Sequence, residues 1–258
     1  APPDGDEVAR GNETTMFTHH VSEILDRVEG DETVPEDRLA LLEWAYFPAL
    51  RYTGRRMKTF HSTLARQPEL FLQLLSLTYG PAKDSGVVEP PQPEGAAELA
   101  GRAYEVLEDW KRVPGSDDAG RIDPAALEAW VKRVRQSAAE VGRAVIADYR
   151  IGHILSAAKP GPDGIWPPEP VRDVIEITRS KDLEAGVRTG VFNRRGVTVR
   201  DPEAGGSHER NLAADYQRFA EALSLEWPRT AAMLDALKTT YLADAAREDD
   251  MAEQRQWL

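Results

Sequence analysis

The chain has 258 residues, no cysteine and a formal charge of −12, enough length for one large domain or two smaller ones without covalent staples. The missing thiols exclude disulfides, cysteine nucleophiles, Cys-ligated zinc and iron–sulfur clusters, and they are compatible with a reducing cytoplasm, the expected compartment. The acidic balance opposes general binding to a nucleic-acid backbone, where positive charge has to displace counterions.

Residues 1–15, APPDGDEVARGNETT, are polar and Pro/Gly-rich and read as a flexible leader without a signal peptide. Ala1 in place of Met makes a processed or excised piece of something longer the expectation. No apolar run approaches the ~20 residues that a membrane span needs. Phe17, Val21, Ile24, Leu25 and Val28 then recur at helical spacing. The stretch GDETVPEDR breaks the pattern, and Pro35 suits a first helical turn. Leu39, Leu42, Tyr46 and Ala49 form the next stripe, which Leu41, Trp44 and Phe47 broaden; this predicts a helix buried on most sides and kinked or ended by Pro48. Phe60 and Leu64 mark a short helix, and Pro68 opens another with Leu70, Phe71, Leu74 and Leu75 inward. Gly80 to Gly95 holds four prolines and three glycines with no helical period. It is the expected linker between an N-terminal helical subdomain, 16–79, and a C-terminal one, 96–258, with one continuous domain as the alternative.

Beyond the linker Ala100, Ala103, Tyr104, Leu107 and Trp110 resume a helix, and VPGSDDAGRIDP breaks it. Asp123–Pro124 makes a cap followed by a first-turn proline. The apolar run from Leu127 through Val145 predicts one long helix reaching Ala157, bent near Gly142 or Gly152. After KPGPDGIWPPEP, a short helix carries Val171, Val174, Ile175 and Thr178; Ser180 can cap the next, with Leu183, Val187 and Val191. Ser207 is the expected N-cap of a helix bearing Leu212, Tyr216, Phe219, Ala220 and Leu223. Pro228 starts the last, with Met233, Leu237, Thr240, Tyr241 and Ala245 inward. The strand-like GVTVR is too short and isolated to found a sheet. The predicted fold is all-α: an irregular multi-helix bundle or helical-hairpin array of about ten helices. Leu-Glu-Trp motifs recur without the fixed period of a solenoid.

Candidate chemistry is sparse. His19 and Glu23 share a helical face, but His20 points elsewhere, so the three make a poor metal set; no metal and no cofactor is expected. His61, between Phe60 and Leu64, reads as a half-buried packing residue. In ADYRIGHIL, Asp148, Tyr149 and His153 lie near the apolar face, with Asp148 and His153 five apart and poorly spaced for a dyad; a polar contact between helices is the simpler account. Nucleophile elbows, Walker loops and dinucleotide fingerprints are missing. The stretch VFNRRGVTVRDPEAGGSHERN, Val191 to Asn211, gathers Asn193, Arg194, Arg195 and His208. Gly190 and Asn193 suggest a left-handed helix end there, after which the arginines can donate to helix carbonyls or acids. A loop this long and arginine-lined could also bind a carboxylate, phosphate or acidic peptide.

The stretches LALLEWAYFPALRYTGRRMKTFHSTLARQPELFLQLLSLTY, GIWPPEPVRDVIEITRSKDLEAGVRTGVFNRRGVTVRDPEAGGSHERN and EWPRTAAMLDAL together resemble the carboxy-terminal helical region of very large uncharacterised bacterial proteins. Seven lysines against twenty-five arginines fit a high-GC bacterial source. The resemblance brings no established activity, cofactor or site residues. It implies one region of a longer polypeptide, a helical scaffold or recognition region whose partners are other parts of the parent chain or another protein; the missing apolar run and the acidic charge make a membrane or a nucleic acid unexpected as partner. Two alternatives stand beside this expectation. One is an enzyme assembling Asp148, His153, Arg194 and Arg195 from distant segments. The other is anion or nucleic-acid contact through an arginine face including Arg51, Arg55 and Arg56.

Overall fold

A computed structural model describes residues 5–31, 33–51, 53–89, 91, 93–194 and 205–256, with side chains within these ranges from residue 16 to residue 254. Among the described residues the fold is all-α, with eleven helices, no strand and one isolated antiparallel bridge between Ser116 and Ile122. The chain divides into two compact units, Ala1–Pro81 with Val88–Pro114, and Ala82–Val87 with Gly115–Leu258. The division differs from the expected one at residues 80–95, because the helix after that stretch packs back on the helix before it. Ala82 belongs to the second unit, where its N–H donates to the carbonyl of Gly142 at 2.8 Å.

The first unit holds α1 (Gly5–Glu29), α2 (Glu36–Leu50), α3 (Lys58–Arg66), α4 (Pro68–Thr78) and α5 (Ala96–Asp109). Each packs on its neighbour in the chain, the hairpin-array form of the expected fold. α1 begins inside the stretch read as a flexible leader; residues 1–4 lie outside the described residues. Val21, Leu25, Leu39 and Leu50 join α1 to α2. Leu64, Phe71, Leu75, Ala103 and Val106 close the other end without measurable exposure, the four larger side chains each worth roughly 1.5–3 kcal/mol when fully buried.

The stripe on α2 is not the expected one. Leu39, Glu43, Phe47 and Leu50 are buried, whereas Leu41 is 66% and Tyr46 40% exposed. An acid occupies the core face because α3 needs it. Met57, at the N-cap of α3, offers no capping side chain, and the first-turn N–H groups have no partner within their own helix. Glu43 reaches across from α2 and accepts from Phe60 N–H at 2.7 Å and Thr59 N–H at 3.5 Å. Pro48 sits within α2, two residues before its end.

The second unit holds α6 (Pro124–Glu140), α7 (Ala144–Leu155), α8 (Glu169–Thr178), α9 (Lys181–Arg194), α10 (Ser207–Leu223) and α11 (Pro228–Gln256). The single long helix expected after Pro124 is two helices, broken where Gly142 takes φ 68°, a left-handed conformation that glycine adopts without a Cβ clash. The break lets α6 pack on α8 while α7 packs on α9. Gly190 lies inside α9 against Ser156 and does not end the helix, which runs on to Arg194. α10 and α11 form a hairpin.

Local caps appear where expected on α6, where Asp123 accepts from the N–H groups of Ala125 and Ala126, and ahead of α9, where Ser180 accepts from Leu183 N–H. Ser207 is not the cap of α10. Gly206 holds that position, and its N–H donates to Asp249 of α11 at 2.8 Å. The start of α11 is capped from α8, where Glu176 accepts from Thr230 N–H at 2.8 Å and Thr230 Oγ1 at 3.0 Å. Three helix starts, those of α3, α10 and α11, are thus satisfied by an acid of another helix. Each acid fixes a tertiary contact as it removes an orphan donor.

Candidate functional site

Three of the residues singled out in the sequence, Asp148, His153 and Arg194, take part in contacts between or within helices. Asp148 of α7 accepts two hydrogen bonds from Arg135 of α6, Nε to Oδ1 at 2.8 Å and Nη2 to Oδ2 at 3.2 Å. The five-residue offset turns His153 about 140° away around α7 at 3.6 residues per turn. The His153 ring is buried, and its backbone carbonyl accepts from Ser156 Oγ at 2.6 Å and from Arg194 Nη2 at 3.1 Å. Arg194 therefore ties the end of α9 to a last-turn carbonyl of α7. Burial pulls its guanidinium down to about 10, with Tyr216 acting the other way. Arg194→Ala should lower stability by ~1–3 kcal/mol, the range for losing a charged hydrogen bond and stranding its acceptor, read as the shift of a urea midpoint. Arg195 lies outside the described residues, as do residues 196–204. Asn193 and His208 are exposed, on the last turn of α9 and the first turn of α10.

The other candidates are equally local. His19 Nε2 stands 3.5 Å from Glu23 Oε1 on an exposed face of α1. Among the described residues no group of three or more His, Cys, Asp or Glu is placed to hold a metal ion. The proposed arginine face is largely neutralised: Arg51 pairs with Glu105 at 2.8 Å, and Arg55 pairs with both Asp26 and Glu29. Among the described residues no helix is long and apolar enough to cross a membrane.

What the sequence did not single out is a groove in the second unit. Its first part, about 280 Å³, lies between α6 and α8 over Val131 and Val174, with Lys132, Arg135, Ile177 and Thr178 around it. The second part, about 330 Å³, continues past Glu128 and Ile177 to the turn between α10 and α11, where Trp227 and Glu226 face Glu169 and Asp173. Ile177 is 63% exposed and Leu225, next to Glu226, is 98% exposed. Trp227 is held from behind: its Nε1 donates to Asp173 Oδ1 at 2.8 Å, and the Arg172 guanidinium lies 5.0 Å from its ring centre.

No protein-family model, curated protein or solved structure matches this chain. The groove therefore stands on its own geometry. A signal for it existed in the sequence. Ile177 is an apolar residue off the stripe of Val171, Val174, Ile175 and Thr178, and Leu225 sits in a polar turn. Each of them alone would be an ordinary exposed residue; only the fold sets Ile177 in the groove and the residues that follow Leu225, Glu226 and Trp227, at its end.

Two buried titratable groups in the first unit oppose each other. Burial pushes Glu43 up from 4.5 to about 7; the Phe60 and Thr59 N–H groups and Lys58 pull the other way, and Glu29 adds to the rise. Burial pulls His61 down from 6.5 to about 4, aided by Lys111 and Arg56 against Asp109, and its Nε2 has no hydrogen-bond partner. For Glu43 the folded state holds the proton more tightly, so its contribution is full below pH 4.5 and is lost as pH rises towards 7. For His61 the folded state holds it less tightly, so its contribution is full above pH 6.5 and is lost as pH falls towards 4. Between pH 4.5 and 6.5 the two slopes should largely cancel. Glu43→Gln should leave stability rising with pH in that window, and His61→Leu should leave it falling, each by up to ~1.4 kcal/mol per pH unit. Denaturant melts of the two variants across the window check this; parallel slopes would contradict it.

Proposed function

We propose that this chain is a non-enzymatic helical interaction or scaffold region of a larger bacterial protein, working in the cytoplasm, and that it takes hold of another polypeptide in the groove between α6 and α8. The observation that carries this reading is Ile177, an exposed β-branched side chain above the apolar floor of Val131 and Val174. Exposed apolar surface framed by polar residues is the usual mark of a protein-binding site. Two of the four residues of the enzyme alternative have structural partners, which supports the interaction reading: Asp148 holds Arg135 of α6, and Arg194 holds the end of α7. The resemblance to the helical ends of very large bacterial proteins points the same way and makes other regions of the parent chain the first partners to try.

The test compares wild type with Ile177→Asp, whose exposed position should leave the melting curve unchanged. Both are immobilised and offered the remaining regions of the parent polypeptide and a soluble bacterial extract, and bound proteins are quantified. At least one partner should fall in recovery by ~10-fold or more in the variant, equivalent to ~1.4 kcal/mol. Equal recovery of every bound protein by the two baits would remove the groove as the binding site.

A further inference from the structure

The walls and charges of the groove specify what fits it, given the interaction reading above. The α6 residues that line it are Pro124, Glu128, Val131, Lys132, Arg135 and Gln136, spaced i, i+4, i+7/i+8, i+11/i+12, one face of a helix. α8 lines it with Val174, Ile177 and Thr178 and, towards its N-terminal end, with Glu169, Pro170, Asp173 and Glu176, about half of the helix surface. The groove therefore runs for ~18 Å along α6, twelve residue steps of 1.5 Å, and for ~14 Å along α8, nine steps. Both walls are helices whose backbone groups are bonded within themselves, so they offer no edge to an extended strand. A helical occupant brings its own backbone satisfied and presents ridges at the same pitch.

The charge along the groove is polarised. At the end where α6 begins, Glu128, Glu169 and Glu226 make no ion pair or side-chain hydrogen bond among the described residues. Asp173 and Glu176 beside them are engaged, by Trp227 Nε1 and by Thr230. At the other end stands Lys132, also without an ion-pair partner, and Arg135, held by Asp148. A net charge of −12 opposes a second copy of the chain as occupant and favours a cationic one. We infer that the groove takes an amphipathic helix of another polypeptide, with apolar anchors at i, i+3/i+4 and i+7 against Val131, Val174 and Ile177 and with lysine or arginine at the end that lies over Glu128, Glu169 and Glu226.

The probe is a synthetic labelled peptide of about 14 residues, long enough to span ~18 Å as a helix, with leucines at those anchor spacings and lysines towards its C-terminal end. Its twin carries glutamate for each lysine. Both are titrated by fluorescence anisotropy into the full chain and into three variants: Ile177→Asp, the pair Glu128→Lys/Glu226→Lys, and the pair Asp250→Lys/Glu253→Lys, which makes the same charge change on exposed acids of α11 that do not line the groove. Wild type should bind the lysine peptide at least ~10-fold more tightly than its twin, and added salt should narrow the difference. Ile177→Asp should weaken the lysine peptide ~10-fold, the groove pair should reverse the preference, and the distant pair should leave it in place. Equal binding of the twins, or equal effects of the two Lys pairs, would overturn the inference. So would undiminished binding to Ile177→Asp. If neither peptide binds while a partner is still recovered in an Ile177-dependent way, the cationic-helix inference fails and the interaction reading stands. If no partner depends on Ile177, both fail.

Discussion

Gly186→Ala should destabilise the second unit by at least ~3 kcal/mol, the upper end of the range for overpacking. A Cβ at Gly186 would lie 1.9 Å from the Tyr149 carbonyl oxygen and 3.0 Å from the His153 nitrogen; one at Gly152 would lie 1.9 Å from the Leu183 carbonyl oxygen. The glycines of α7 and α9 thus face the backbone of the opposite helix. The obstacle is main chain, which cannot rotate aside as a flexible side chain can, so α7 and α9 would have to separate. Leu155, Ile151, Leu183 and Val187, all without measurable exposure, would be loosened with them. Gly101 is the control. It lies in α5 with nothing within 4 Å of its would-be Cβ and no positive φ. Gly101→Ala should therefore stabilise by ~0.4–1 kcal/mol through the lower entropy of the unfolded chain. Urea midpoints of the two variants should move in opposite directions; a Gly186→Ala midpoint equal to wild type would mean that α7 and α9 do not meet at their backbones.

Arg172→Met should cost ~3–5 kcal/mol, the range for breaking a buried charged network by removing one partner. Arg172 is 1% exposed. Its Nε donates to the Pro167 carbonyl at 2.5 Å, its Nη2 to the Ile165 carbonyl at 3.1 Å, and it pairs with Asp163 at 2.8 Å. Methionine keeps the apolar stem but strands the buried Pro167 carbonyl, takes one of two donors from the Ile165 carbonyl and from Asp163, which keep Gly161 N–H and Ile165 N–H, and removes the cation from the face of Trp227. The effect should reach the groove, because Trp227 is one of its walls. Asp163→Asn should cost much less, since its side chain is 43% exposed and exposed ion pairs contribute little. Denaturant melts of the two variants give the comparison, and a cost for Asp163→Asn matching that of Arg172→Met would place the stabilisation in the ion pair and not in the carbonyls.

The sequence by itself determined the helices. Apolar periodicity, proline at helix starts and local caps such as Asp123 and Ser180 act within one or two turns, so α3, α4, α6 and α8 to α11 were legible in their order and largely in their facing, with Thr240 of α11 exposed against expectation. Those same local signals could not place the acids. Periodicity assigns Glu43 to solvent, and only the approach of α3 turns it into a buried cap; Ser207 looks like a better cap than Gly206 until Asp249 arrives from α11. Nor could they place Arg194, whose acceptor is a carbonyl of α7 forty-one residues away. The boundary between the units was decided in the same way, by α5 packing on α4 across a stretch that reads as a linker. The groove belongs wholly to the tertiary structure. Ile177 is apolar surface on one helix and Glu128 a charge on another, and neither means anything until α6 and α8 lie side by side. Helix formation rests on neighbours close in the chain, whereas a binding surface is a sum over neighbours in space.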